Sequence, residues 1–235
     1  MFQVVSNPLL LPSPVEALKA FYHIFIQLTS LEMILYTFLR LFLAMALALI
    51  VGLLLGVIAG FNETFALFIR PIVTIFRTVP VISIVVILLI IFGFTLTPYL
   101  ITFLMIFPLS YQAVYGGIKA IDKELIDVYL LEDNHFFRGM KYCYLPLIQG
   151  GIKTALLQSA GLGIKVLVMA EYLSQTKKSI GNAIYLAKAN LQFDQVFAWT
   201  ILLILLAIGI EILIEKYGII KKKVEKTITN NSLKD

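Results

Sequence analysis

One cysteine, Cys143, and two histidines in 235 residues leave little material for several kinds of chemistry. A lone thiol forms no internal disulfide and carries no metal-ligand spacing. No Ser/His/Asp set, paired-carboxylate site or metal cluster emerges along the sequence. There is also no G-x-x-x-x-G-K-[ST] run, so the chain has no phosphate loop with which to hydrolyse ATP itself. Charge is scarce: 14% of the residues are charged and 60% are hydrophobic, for a mean hydropathy of +0.94. A soluble domain carries about 25% charged residues, so this composition points to an integral membrane protein. The apolar runs have the roughly 20-residue length of a spanning helix, not the alternating segments of about ten residues that build a barrel. The fold expected is all-α, and no cofactor is expected.

The start, "MFQVVSNPLLLPSPVEALKAFYHIFIQL", has neither a basic n-region nor a small-residue cleavage site, so it does not read as a signal peptide. Pro8, Pro12 and Pro14 exclude a spanning helix before about residue 14. Val15 to Leu31 is amphipathic, interrupted by Glu16, Lys19 and His23, and reads as interfacial. Residues 1–32 are therefore taken as an extracytoplasmic or interfacial segment, 33–218 as the transmembrane domain, and 219–235 as a basic tail.

Five spans are expected, at about 33–59, 79–94, 97–118, 145–171 and 196–216. Between the first two, Arg70, Pro71, Arg77 and Pro80 suggest a short surface helix leading into a kinked span. The tail carries Lys216, Lys221, Lys222, Lys223 and Lys226, and the 119–141 loop carries Lys119, Lys123, Arg138 and Lys141. Two spans separate these regions, so both lie on one face, the cytoplasmic one by their basic character. An odd number of spans then places the N-terminus outside. The net charge of +5 reflects this topology rather than nucleic-acid binding. Lys177, Lys178 and Lys188 fall outside, against the trend.

Gly52, Gly56 and Gly60 form a ladder at four-residue spacing, which lets two helix backbones approach closely in lipid. The other reading is that glycine is simply frequent in membrane helices. The segment "KAIDKELIDVYLLEDNHFFRGMKYCYLP", 119–146, is longer than a plain connection needs. Leu125, Val128, Tyr129, Leu131 and Glu132 suggest a short amphipathic helix, Asp133 and Asn134 a turn, and "HFFRGMKYCY" a second apolar-basic piece. Docking of a cytoplasmic partner and a surface-lying connector both fit. His135, beside Phe136 and Phe137, reads as a packing residue.

In the span 145–171, Thr154, Gln158, Gly161, Lys165 and Tyr172 fall on one helix face. A polar stripe on a spanning helix belongs toward a bundle interior or a watery cavity. Lys165 is costly there, at roughly 2.5–3.5 kcal/mol for a charge at the bilayer centre. Three readings stay open: a cationic contact for an anionic or electron-rich substrate, a structural ion pair with Glu171 or Glu211, and snorkelling toward the surface. Glu171 lies off the stripe near the outer end and reads as a structural residue orienting the start of the following loop.

Several stretches resemble the permease subunits of bacterial ABC importers. Their cytoplasmic coupling loop has the form E-A-A-x-x-x-G-x9-I-x-L-P. Laid back from Leu145 and Pro146, its first three positions fall on Asp127, Val128 and Tyr129, and its glycine on Asp133; only the Leu-Pro end matches outright. "LLLPSPVEAL", "LFIRPIVTIFRTVPVISIVVILLIIFGF", "GLGIKVLVMAE", "SIGNAIYLA" and "FDQVFAW" are similar, in order and spacing, to elements of the nitrate/sulfonate/taurine class. Those permeases have a further span before the "LLPSP" segment, so five spans stand here for their six. The resemblance implies two permease copies, here a homodimer, in the lipid bilayer of the cell membrane. It also implies separate ATPase subunits docked under the coupling loops and an extracytoplasmic binding protein that delivers substrate. Coupling to the ATPase falls on Asp127, Val128, Tyr129, Asp133, Phe136, Phe137, Leu145 and Pro146. The substrate pathway falls on Thr154, Gln158, Gly161 and Lys165. The rival reading is an ion-coupled secondary carrier built on Lys165, Glu171 and Glu211; five spans without an internal repeat speak against it. A membrane scaffold without a transport role ranks third.

Overall fold

The computed structural model describes residues 12–122, 124–126 and 135–232, with the backbone alone at 136–137 and 217–232. Among the described residues every regular element is a helix, and there is no strand. The elements are α1 (Pro14–Ile26), α2 (Leu28–Phe61), α3 (Glu63–Thr78), α4 (Val81–Lys119), α5 (Phe136–Gly139), a π-helical turn (Met140–Tyr144), α6 (Leu145–Ser174), α7 (Ile180–Ala189) and α8 (Phe193–Ser232). Among them, four helices are long and apolar enough to cross a membrane: Leu28–Phe61, Val81–Lys119, Met140–Ser174 and Phe193–Lys216.

The all-α architecture is as expected, but the five expected spans map onto four such helices. Segments 79–94 and 97–118 are two arms of α4, broken at Gly93, whose φ of 72° and ψ of −174° are open to glycine and to few other residues. The arms fold back on each other, which brings Val85 and Leu88 against Ile101 and Met105. From Val81 to the break is only about 18 Å of helix, short of a bilayer core. The chain makes up the rest with α3, which starts where α2 ends and packs Ala66, Ile69 and Val73 against Phe107 and Tyr111. Span boundaries also move outward: the first begins at Leu28 rather than 33, and the fourth runs from Met140 to Ser174.

Pro146 does not start a span, because the helix passes through it. A proline inside a helix removes one N–H and clashes with the carbonyl four residues back. The π-turn absorbs the mismatch: Leu145 N donates to Met140 O, a five-residue spacing.

The start of α1 has a complete capping box that "SPVE" spells out. Ser13 Oγ accepts from Glu16 N at 3.2 Å and Ser13 N donates to Glu16 Oε2 at 2.8 Å. That backbone N–H holds the exposed Glu16 carboxyl below its ordinary pKa. α1 docks through Ala20 and Ile24 onto a cluster with Leu41, Leu167, Trp199 and Leu202.

The glycine ladder is a packing seam within the chain. Gly52 lies against Phe107 and Ser110, Gly56 against Tyr111 and Val114, and Gly60 against Ile118. Numbers rise together on both helices, so α2 and the long arm of α4 run parallel. Ser110 Oγ donates to Ala48 O at 3.1 Å across the seam. A Cβ on Gly56 would stand 2.8 Å from the carbonyl oxygen of Tyr111, a backbone atom with little freedom to move. We expect Gly56→Ala to destabilise the fold by about 1–3 kcal/mol. Gly209→Ala, where nothing lies within 4 Å, should be silent. Thermal unfolding in detergent compares the two; equal midpoints would show that the seam tolerates a methyl group.

Tracing the contacts gives each pass its direction. Arg40 near the start of α2 meets the end of α6, and Phe94, just past the break, meets Thr176. At the opposite end Gly117 lies against Ile148. In the last helix Trp199 and Leu202 pack with Leu167 and Val168, while Glu211 reaches Gly161. The start of α2 and the end of the last span therefore sit at opposite ends of the bundle.

Candidate substrate pathway and its buried ion pair

Among the described residues, the polar face of α6 is left largely uncovered by the rest of the chain. Thr154, Gln158 and Lys165 are exposed and Gly161 is half-buried. The structure places Thr154 and Gln158 together in a groove of about 370 Å³ between α3, α4 and α6. Arg77 and Gln112 line the same groove, and Arg77 Nη1 donates to Gln112 Oε1. Thr154 Oγ1 donates to Gly150 O at 3.1 Å, a back-bond that satisfies the hydroxyl within its own helix. One turn on, Gly161 has no side chain, and Glu211 takes that space: a Cβ there would be 3.2 Å from Glu211 Oε1. Gly161 and Lys165 continue the groove's face without lining it. Arg77 and Gln112 were not singled out as site residues from sequence; their signal was a charge beside two prolines at the edge of an apolar span.

The expected pairings of Lys165 do not form. Lys165 has no hydrogen bond or ion pair among the described residues, and Glu171 is held by Arg40 instead. Arg40 Nη1 stands 3.0 Å from Glu171 Oε1, with the carboxylate fully buried. Thr37 Oγ1 lies 3.1 and 3.0 Å from the two carboxylate oxygens, and Gly181 N donates to Oε2 at 3.3 Å. Glu171 is thus a core residue rather than one at the outer surface. Charges this far from water persist only when paired and fully hydrogen-bonded.

The same cluster shapes the turn that follows α6. Arg40 donates to the carbonyls of Lys178 and Lys177, each at 3.1 Å, and Ile180 N donates to Thr37 Oγ1 at 3.0 Å. Gln175 and Lys178 have left-handed backbones, with φ of 49° and 52°, a strain that these bonds hold in place. Thr176 Oγ1 reaches Phe94 O at 2.9 Å and ties the turn to the break in α4. Outside the cluster, Lys178 pairs with Glu32 at 3.1 Å, and that hydrogen bond raises the lysine above its ordinary pKa. The expected role of Glu171 in orienting the start of this loop agrees with the geometry. Its partner is not legible in the sequence: an arginine inside "TFLRLFL" is as loud a signal as Lys165, but nothing local says what it meets.

Asp127, Val128, Tyr129 and Asp133 lie outside the described residues. Phe136 and Phe137 open the single turn of α5. Leu145 and Pro146 are exposed, as are Tyr142 and Leu147 beside them, leaving an apolar surface at the end of the bundle where α4 stops. Among the described residues no group of His, Cys, Asp and Glu could hold a metal ion.

Residues 52–218 match the family model described as binding-protein-dependent transport system inner membrane component. The match begins at the first glycine of the α2 seam and runs past the end of the last span. No curated protein matches the chain.

Proposed function

The chain belongs to the family of binding-protein-dependent transport system inner membrane components, and from that premise we propose that it is the permease subunit of an ATP-driven importer. Two copies form the pathway, which makes a homodimer. A separate ATPase docks under the 119–144 loop, and an extracytoplasmic binding protein delivers the solute. The end of the bundle bearing the 119–144 loop and the basic tail faces the cytoplasm, and the N-terminal segment 1–32 faces outward.

The observation that supports a pathway on α6 is the uncovered polar face itself. A spanning helix that shows Gln158 and Lys165 to its surroundings needs water or a second protein surface beside it, since lipid satisfies neither. The groove with Arg77 and Gln112 extends that face. Two cationic side chains along it favour a small anionic solute, of the nitrate, sulfonate or vitamin-precursor kind. The rival ion-coupled carrier is not favoured, because Glu171 is engaged with Arg40 and is not free to load and release an ion.

The docking half of the proposal has a direct test. Tyr129→Asp and Phe137→Asp should each release the ATPase subunit in detergent pull-downs, while the chain still accumulates in the membrane. Exposed apolar groups at Leu145 and Leu147, next to the loop, supply the kind of surface such a contact buries. Unchanged ATPase retention in both variants would remove the 119–144 loop from the docking surface. A preparation with no stoichiometric ATPase at all would remove the importer.

A further inference from the structure

A second cavity lies away from the proposed pathway, at the end of the bundle where α2 and α8 begin. It holds about 560 Å³ between α1 and the start of α2 on one side and α7 and the start of α8 on the other. Ala20, Ile24, Ala183 and Trp199 make its buried apolar floor. Its walls carry both signs of charge. Lys19 and His23, one turn apart on α1, face Asp194 in the first turn of α8 across it. Among the described residues none of these three side chains has a hydrogen bond or an ion pair, and Lys19 acts only through space on Glu16, whose pKa its charge helps to lower. The nearby Glu16 carboxylate is already taken by its cap. Thr29, in the first turn of α2, also lines the cavity, and α2 starts without a side-chain cap. Ser30 N and Leu31 N donate to Gln27 O at 3.0 and 3.2 Å, and the positive end of the helix dipole beside Thr29 still favours an anion.

The cavity's depth is set by the helices around it. It sits beside the first turns of two spanning helices, which is the head-group level of a bilayer. On the back of α1, Leu18, Tyr22, Phe25 and Ile26 are exposed, as in a helix lying in the membrane interface. Leu186 lines the cavity and is itself exposed, so the opening is apolar on the α7 side.

We propose that this cavity binds a membrane phospholipid whose head group carries both a phosphate and an ammonium. The phosphate sits between Lys19, His23 and the start of α2, and the ammonium points toward Asp194. The acyl chains leave over Leu186 into the bilayer. Either protonation state of His23 serves, since a neutral imidazole still has one N–H to donate. An anionic lipid such as phosphatidylglycerol would place the same phosphate on Lys19 and His23 but bring no cation to Asp194. A soluble zwitterion would satisfy the walls and leave the apolar floor bare. The bound lipid pins α1 to α7 and α8.

The test reads lipid retention, not transport, so its outcome is independent of the permease reading. The full chain is purified, equilibrated with vesicles of equimolar phosphatidylethanolamine and phosphatidylglycerol, and repurified; its lipid is then quantified by mass spectrometry. We expect the ethanolamine lipid to be enriched about fivefold, the ratio that one well-placed charge contact at a wet site supports. Lys19→Gln/His23→Gln and Asp194→Asn should each return the ratio to that of the vesicles. Lys188→Gln, outside the cavity lining, should not. Asp194 lies on α8, so its variant leaves α1 untouched and reads the site even where the α1 variant folds poorly. Equal retention of the two lipids would overturn the proposal. So would unchanged retention in the Asp194 variant, or displacement of the lipid by an equal concentration of soluble phosphoethanolamine.

Discussion

Arg40→Met should destabilise the chain by about 3–5 kcal/mol, the range for removing one half of a buried ion pair. The arginine is 8% exposed and Glu171 not at all, so neither charge has water to fall back on. Without the guanidinium, Glu171 keeps only the Thr37 hydroxyl and the Gly181 amide. The carbonyls of Lys177 and Lys178 lose their donor at the same time, and with it the left-handed turn that they close. Arg40→Lys should recover only part of the loss. One ammonium does not reproduce a planar fork whose Nη1 and Nη2 hold a carboxylate and two carbonyls. Replacing both charges, as Arg40→Met with Glu171→Met, should be less damaging than Arg40→Met alone, because no unpaired charge is left buried. Detergent-resistant unfolding and membrane accumulation read all three variants. Wild-type stability in Arg40→Met, or a double variant no more stable than Arg40→Met alone, would show that the pair is not the tie holding α2 to α6 and α7.

The long helices were legible because twenty consecutive apolar residues leave a chain in lipid no other way to satisfy its backbone. The reversal within α4 was legible only as a gap between two expected spans. A turn in water announces itself with polar residues, whereas this one is made by Gly93 inside "LIIFGFTLTP", with Thr97 Oγ1 returning to Gly93 O at 2.7 Å. The glycine ladder could be read as a seam, but not as a seam with α4, since its spacing does not name a partner. The same limit explains Glu171. A carboxylate in an apolar run signals a pairing, yet Arg40 is 131 residues away, and Lys165, six residues away in sequence, points from a different face. Periodicity, by contrast, is enough to put Thr154, Gln158, Gly161 and Lys165 on one face, because that is a property of one helix alone. The groove itself needs α3 and α4 as walls, and no local pattern supplies them.

Lys165→Met should abolish most substrate uptake, at least about tenfold, while leaving accumulation and ATPase association at wild-type levels. The lysine stands about 14 Å along α6 from Ser174, more than its own side chain spans. With no partner among the described residues, the ammonium needs a watery pathway or a group on the second copy to offset roughly 2.5–3.5 kcal/mol. Methionine matches its length and deletes the charge, so it separates two roles. A pathway contact acts on the solute, and its loss lowers uptake without loosening the fold. A structural charge across the dimer acts on assembly, and its loss leaves a partner carboxylate such as Glu211, exposed on the same side of α8 as Gly161, without compensation. Lys165→Arg should keep part of the uptake, since it retains the charge but changes its reach and hydration. Poor accumulation of Lys165→Met that is repaired by adding Glu211→Gln would assign the lysine to the dimer contact rather than to the solute.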